Sequence, residues 1–221
     1  MTDTSPFLDS IRGIPGIRAG WVERIPEIDV AVSREEAVAR LRGSHEAAAR
    51  SLAGPDAVLW HAEQVHGNTV TAVPNPSLPA ECRIAPGADG LVTDQAGIVL
   101  CILVADCGPV WLADRRSGAI GLLHSGRAGT AANIMAAGLR RMREAFGTRP
   151  QDVCAVLGPC IRPPHYETDF ATDIANQARA EGVADFHDCG FDTASDLPRF
   201  YSYRMEQGRT GRMLAMITRL P

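Results

Sequence analysis

IVLCILVADCGPVWLADRRSGAIGLLH, residues 98–124, is the stretch that decides the fold of this chain. Its first seven residues are apolar throughout, the pattern of a strand buried on both faces. Residues 110–113 and 119–124 predict two more strands, with Asp114-Arg115-Arg116-Ser117-Gly118 as the hairpin turn between them. Cys107 follows the first strand directly, and His124 ends the third. With these strands as neighbours, the turn brings the thiol and the imidazole to one end of a sheet. A Cys and a His converging there can be metal ligands, a nucleophile and its base, or a buried thiol beside a hydrogen-bonded histidine. The residues alone leave all three readings open. His66, in Gln64-Val65-His66-Gly67, also lies at a strand boundary.

Outward from this stretch the chain alternates helix and strand signals. Ser33 and Glu36 form a capping box, and Ala37, Val38, Leu41, Ala48 and Leu52 then recur at helical spacing up to Gly54-Pro55. Residues 57–60 and 69–73 read as strands. Residues 73–90 hold four prolines and read as a loop. Ile134, Leu139, Met142 and Phe146 mark one face of a helix, 153–157 a buried strand, and Ile174 and Ala178 the inner face of a helix over 170–180. Residues 197–217 predict a short helix and a last strand. The class is α+β, a mixed sheet with flanking helices.

Composition narrows the function. A chain of 221 residues suits one domain with a full hydrophobic core. The net charge of −4 gives no electrostatic footprint for nucleic acid or an anionic membrane. All 22 basic residues are Arg, a supply of planar donors suited to phosphate or carboxylate. The first residues lack a basic-then-apolar signal, and the apolar run from 98 to 105 is too short to span a bilayer, so a cytoplasmic location is expected. Six cysteines without a CxxC pair disfavour a disulfide framework, a zinc ribbon or a thioredoxin-like motif. His61-Ala-Glu-Gln-Val-His66 has its histidines five apart, which removes the HExxH zinc motif and leaves His61 as a strand or surface residue.

Six segments carry a more specific signal. WHAEQVHGNTV, GADGLVT, VADCGPVWLAD, AIGLLHSGRAGT, LGPCIRPPHYE and FYSYRMEQGRTGRML resemble, in order, the motifs of the polyphenol oxidase (laccase-domain) family, also described as purine nucleoside phosphorylases. The resemblance runs from Trp60 to the C-terminus and covers the chain as one such domain, 1–221. It implies a compact α+β fold shared with Cys-His deamidase toxins. It also implies a zinc site made by His66, Cys107 and His124, with Cys107 and His124 at the centre of the chemistry. The implied substrates are a purine nucleoside such as inosine or adenosine and phosphate, with adenosine deamination as a further activity. Copper is the metal that the family's name suggests. A blue-copper centre needs two His, one Cys and an axial ligand, and a trinuclear cluster needs more His than are well placed here. A Cys107 nucleophile with His124 as base, acting on an amide, and a non-catalytic metal-binding role are the other readings. No protein partner is implied.

The chain departs from the family in two places. Where the family reads HAGWRG, this chain has His124-Ser125-Gly126-Arg127-Ala128-Gly129. The Gly-Gly-Val-Ser turn near the family N-terminus has no counterpart in GIRAGWVERIPEIDV. The loop from Ser125 feeds a predicted helix, so Arg127, Gly126 and Gly129 are candidates for phosphate binding. The alternative is that the two glycines only permit a tight turn. Cys160 is a small buried residue or part of the cleft, as is Glu167 in the same motif. Asp89 and Asp106 orient ligands or cap turns. Cys82, Cys101, Cys154 and Cys189 have no evident partner, and His45, His165 and His187 are expected to face solvent.

Overall fold

The computed structural model describes residues 5–74 and 83–220. A short helix α1 (Asp9–Arg12) and strand β1 (Ile17–Val22) precede the long helix α2 (Arg34–Ala53). Strands β2 (Val58–Ala62), β3 (Val70–Ala72), β4 (Ile84–Ala85) and β5 (Gly90–Thr93) lead into β6 (Ile98–Val104), β7 (Gly108–Asp114) and β8 (Ile120–Ser125). Then follow α3 (Arg127–Ala131), α4 (Ile134–Phe146), β9 (Val153–Leu157), α5 (Phe170–Ala180), β10 (Asp185–Asp188) and β11 (Met213–Arg219).

The strands form two mixed sheets, ordered β1-β11-β6-β2-β4 and β10-β9-β7-β8-β5-β3. The apolar run 98–104 is apolar on both faces because β6 is the centre of the first sheet, antiparallel to β11 and parallel to β2. Leu100, Ile102 and Val104 join Trp21 and Ile217 against Trp111, Ile120, Leu122 and Val156 of the second sheet. Val99 and Cys101 point the other way, into a cluster with Ala49 of α2. On the far side of the second sheet, Leu139 and Met142 of α4 and Ile174 and Ala178 of α5 cover Leu112, Leu123 and Ala155. The layers are therefore α2, sheet, sheet, then α4 and α5. The Trp111 Nε1–H donates to the Met216 carbonyl at 2.8 Å and ties the two sheets together.

The α+β class with mixed pairing and flanking helices is as expected, but the strands are shared between two sheets. The β7–β8 hairpin is present, with Pro109 opposite His124. β6 is not its neighbour in a sheet. Residues 105–107 carry the chain from one sheet to the other, with Asp106 in the left-handed region at φ 81°.

Local signals explain most elements. The Ser33 hydroxyl accepts from the Glu36 N–H at 3.3 Å, and α2 stops at Gly54, whose φ of 100° few other residues adopt. The inward stripe of α2 is Ala37, Leu41, His45 and Ala49, which corrects the expectation that His45 faces solvent. Burial, then the neighbouring His61, pushes the His45 imidazole down to about 4. His165 and His187 are exposed, each paired with an aspartate. Residues 197–208 fold as turns rather than a helix. Strands β1, β4, β5 and β10 carried no alternating pattern long enough to mark them. Cys82 lies outside the described residues. Among the described residues no helix is long and apolar enough to cross a membrane.

Candidate metal centre

The site is assembled at the seam between the sheets, around the carboxylate of Asp89. Asp89 immediately precedes β5 and is fully buried. Its Oδ1 accepts from the His66 backbone N–H at 2.8 Å, and its Oδ2 from the Gly67 N–H at 2.7 Å. Oδ1 also lies 2.8 Å from Nδ1 of His124. One carboxylate thus orients two of the three expected ligands. Its negative charge places the proton on His124 Nδ1 and turns Nε2 away from it, toward Cys107. Asp89 therefore combines the two roles considered for it, orienting a ligand and holding a turn.

The QVHG turn has a strained backbone and is held by Gln64. Gln64 and His66 both have left-handed backbone, at φ 64° and 65°. Together with Asp106, they are three of the five non-glycine residues with positive φ among the described residues. Such conformations cost about 1–3 kcal/mol each for residues without a special tolerance and persist only where the surroundings impose them. Here the surroundings are specific. The buried Gln64 amide donates to the Leu103 carbonyl at 2.6 Å and accepts from the Leu103 N–H at 2.9 Å. It thereby fastens the turn to the end of β6. Asp106 accepts from the Thr193 hydroxyl and the Arg204 N–H, both at 2.7 Å, so its role is to hold the crossover beside Cys107.

The ligand atoms of His66, Cys107 and His124 all lie within 4.8 Å of one another. His66 is exposed, Cys107 half-buried and His124 buried, so the cluster opens to one side. The rings of His66 and His124 meet edge to face with centroids 4.9 Å apart. Two imidazoles and a thiolate are a donor set that zinc accepts, with a fourth position open. A second group, Cys154, Asp185 and His187, is less suitable because the Arg115 guanidinium already pairs with Asp185.

The metal-free electrostatics favour a charged pair. Burial opposes the thiolate, yet hydrogen bonds and charge from His124 and His66 outweigh it and bring Cys107 down to about 6. Burial also opposes protonation of His124, but Asp89 and Cys107 raise it to about 9. The other described thiols go the opposite way: burial pushes Cys101 and Cys160 up strongly and Cys154 up to about 12. Cys160 is fully buried, as a small hydrophobe would be.

The two glycines of the HSGRAG loop are required by close approach. A Cβ on Gly126 would stand 2.6 Å from the Cys107 sulfur, and one on Gly129 would stand 2.9 Å from the Gly67 carbonyl. Neither has a positive φ. Their absence of side chains lets α3 sit directly on the cluster. Arg127 starts α3 at the rim, 62% exposed and 3.5 Å from Glu167, which Arg204 also binds at 2.8 Å. A cleft of about 850 Å³ opens over the cluster, walled by Arg34, Tyr166, Phe170, Tyr203 and Arg212 as well as the loop. Of these walls the sequence reading singled out only the loop. The others are far apart in sequence, although Tyr166, Tyr203 and Arg212 lie in segments that carry family motifs.

Fold and site together define a class, a four-layer α+β protein with a His-Cys-His cluster under an open cleft. The family described as multi-copper polyphenol oxidoreductase laccase matches residues 22–181 and 168–220, and the chain belongs to it. A purine nucleoside phosphorylase of Streptomyces griseus is 31% identical over 243 residues, covering 97% of this chain and 96% of the relative. A purine nucleoside phosphorylase of Corynebacterium glutamicum is 37% identical over 128 residues, which span 58% of this chain and half the length of that relative. The crystal structure of YlmD from Geobacillus stearothermophilus superimposes with a TM-score of 0.78 at 26% identity, covering 94% of this chain and 93% of that one.

Two outcomes are expected. Asp89→Asn keeps the shape but loses the charge, and should weaken metal binding about 10- to 100-fold in a chelator competition; unchanged affinity would show that Asp89 only holds the turn. In metal-free protein, Cys107 alkylation by iodoacetamide should fall as pH drops through about 6. Because the folded value lies below the ordinary 9.0, the thiolate's contribution to stability is lost over that same fall. The raised His124 loses its contribution as pH rises through about 9, so the metal-free pair is stabilised between the two. An alkylation profile centred near the ordinary thiol value would overturn this pairing.

Proposed function

We propose that this chain, 1–221 as one laccase-domain unit, is a zinc-dependent purine nucleoside phosphorylase acting on inosine- or adenosine-type nucleosides. The observation that carries the reading is a His-Cys-His cluster open on one side to a cleft of about 850 Å³. That volume lies in the range of small-molecule sites. The names of the relatives from Streptomyces griseus and Corynebacterium glutamicum support the choice of reaction.

His66, Cys107 and His124 would hold the zinc. When bound, zinc supplies a Lewis acid that polarises a substrate oxygen. Asp89 keeps the proton on Nδ1 of His124 and fixes the turn that carries His66. Tyr166 and Tyr203, whose rings carry the guanidinium groups of Arg204 and Arg212, line the cleft and would offer aromatic surface to a purine, and Ile161 and Leu103 add apolar lining. In phosphorolysis a phosphate oxygen bonds to ribose C1′ as the C1′–N bond breaks. The purine leaves with the electron pair and takes up a proton. Arg127, beside Gly126 and Gly129 at the mouth, would guide the incoming phosphate.

Copper is a weaker fit to the donor set. Only two of the six histidines are at the cluster, and among the described residues no Met lines the cleft as an axial ligand would. The hydrogen-bonded Cys107–His124 pair favours one second reading, a thiol nucleophile with its base acting on an amide. Metal removal separates the two, since chelation should abolish phosphorolysis but raise a thiol hydrolase.

The test combines metal analysis with an assay on inosine or adenosine, with and without phosphate. Protein purified without affinity metals should carry about one zinc per chain and release hypoxanthine from inosine only when phosphate is present. Cys107→Ala should lose zinc and turnover together. Full metal and full activity in that variant would contradict the proposal.

A further inference from the structure

Among the described residues Arg212 is the one buried arginine. It is only 8% exposed, yet no carboxylate pairs with it among the described residues. Its Nη1 donates to the Thr210 and Gly211 carbonyls at 3.2 and 2.8 Å. The guanidinium lies over the Tyr203 ring, 5.9 Å from its centroid, and among the described residues the Nε–H and Nη2 donors, the side-on edge of the fork, have no hydrogen-bond acceptor. Buried arginines are almost always neutralised, because an uncompensated cation out of water is strongly unfavourable.

Its position explains what it faces. Arg212 directly precedes β11, and Met213 pairs with Val104 at the end of β6. The side chain therefore stands level with the crossover that carries Cys107, and it lines the same cleft. The carboxylate available nearby, Asp106, is already committed to Thr193 and to the Arg204 backbone. Arg34, at the start of α2, also lines the cleft without an ion pair among the described residues, and its charge repels that of Arg212. Burial, then Arg34, pushes the Arg212 guanidinium downward, and the charges of Cys107, Tyr203 and Asp106 only partly oppose this. By contrast, Arg127 is exposed and paired with Glu167.

We propose that Arg212, with Arg34 beside it, anchors free phosphate in the cleft. Its unpartnered fork matches two oxygens of a tetrahedral oxyanion. Arg127 then serves the approach and Arg212 the bound state. The identity of the anion rests on the phosphorolysis reading; the existence of an oxyanion site does not.

The zinc-loaded full chain should be titrated with inorganic phosphate alone, followed by calorimetry or phosphorus NMR. Wild type should bind phosphate, Arg212→Gln should weaken it at least tenfold, and Arg212→Lys, which keeps the charge without the fork, should fall between. Absence of phosphate binding in wild type, or equal affinity in Arg212→Gln, overturns the proposal. If Arg212→Gln does not fold, Arg212→Lys decides, and wild-type affinity in that variant overturns it. Binding of adenosine 5′-monophosphate without any binding of free phosphate also overturns it, since the oxyanion would then belong to a nucleotide. Phosphate bound through Arg212 without phosphorolysis of any purine nucleoside would leave this site standing and remove the proposed function. Phosphorolysis whose KM for phosphate is unmoved in Arg212→Gln would do the reverse.

Discussion

The site depends on one buried carboxylate. Asp89 binds the backbone of His66 and Gly67 and the ring of His124, so a single side chain sets the positions of two imidazoles that come from different parts of the chain. A fully buried carboxylate is tolerated only when its oxygens are filled, and here backbone and imidazole donors fill them. Those contacts outweigh its burial and hold the carboxyl below its ordinary range. The ionised form that orients the His66 turn and the His124 ring is therefore the stable one.

The two-sheet architecture places this carboxylate where it is needed. Asp89 leads into β5 of one sheet, while Cys107 sits on the crossover from β6 of the other. The cluster lies at a seam, and a seam is where a chain can leave regular hydrogen bonding and bring side chains from both layers together. The cost is visible as left-handed backbone at Gln64, His66 and Asp106. It is offset by the paired bonds of Gln64 to Leu103 and by the two donors on Asp106. Strain and its compensation occur within a few residues of the ligands.

Much of this was legible in the sequence, and the reasons differ by residue. The apolar run at 98–104 and the DRRSG turn gave β6 and the β7–β8 hairpin because burial on both faces and turn chemistry are local signals. The division into two sheets was not legible, since nothing local distinguishes a strand's hairpin partner from a strand in the facing layer. His45 was misread for a related reason: a polar residue at the i+4 position after Leu41 looks exposed until the stripe of α2 is seen to run through it. At the site, Cys107 and His124 come together through the β7–β8 register, with Gly108 opposite Ser125 and Pro109 opposite His124, and not through β6 as a neighbouring strand, whereas His66 needed an ordered series of family motifs. Gly126 and Gly129 looked like turn residues, but their small size is dictated by a sulfur and a carbonyl that only the fold brings near. Arg212 lay within a family motif, but nothing in the sequence marked it out there, because a buried charge without an ion pair is a property of surroundings.

The central claim is that His66, Cys107 and His124 hold one metal ion per chain. X-ray absorption at the metal edge of protein purified without affinity metals tests it most directly. The expected result is a zinc edge, with one sulfur at about 2.3 Å and two imidazole nitrogens at about 2.0–2.1 Å in the first coordination sphere. A copper edge, or zinc with no sulfur scatterer, would contradict it.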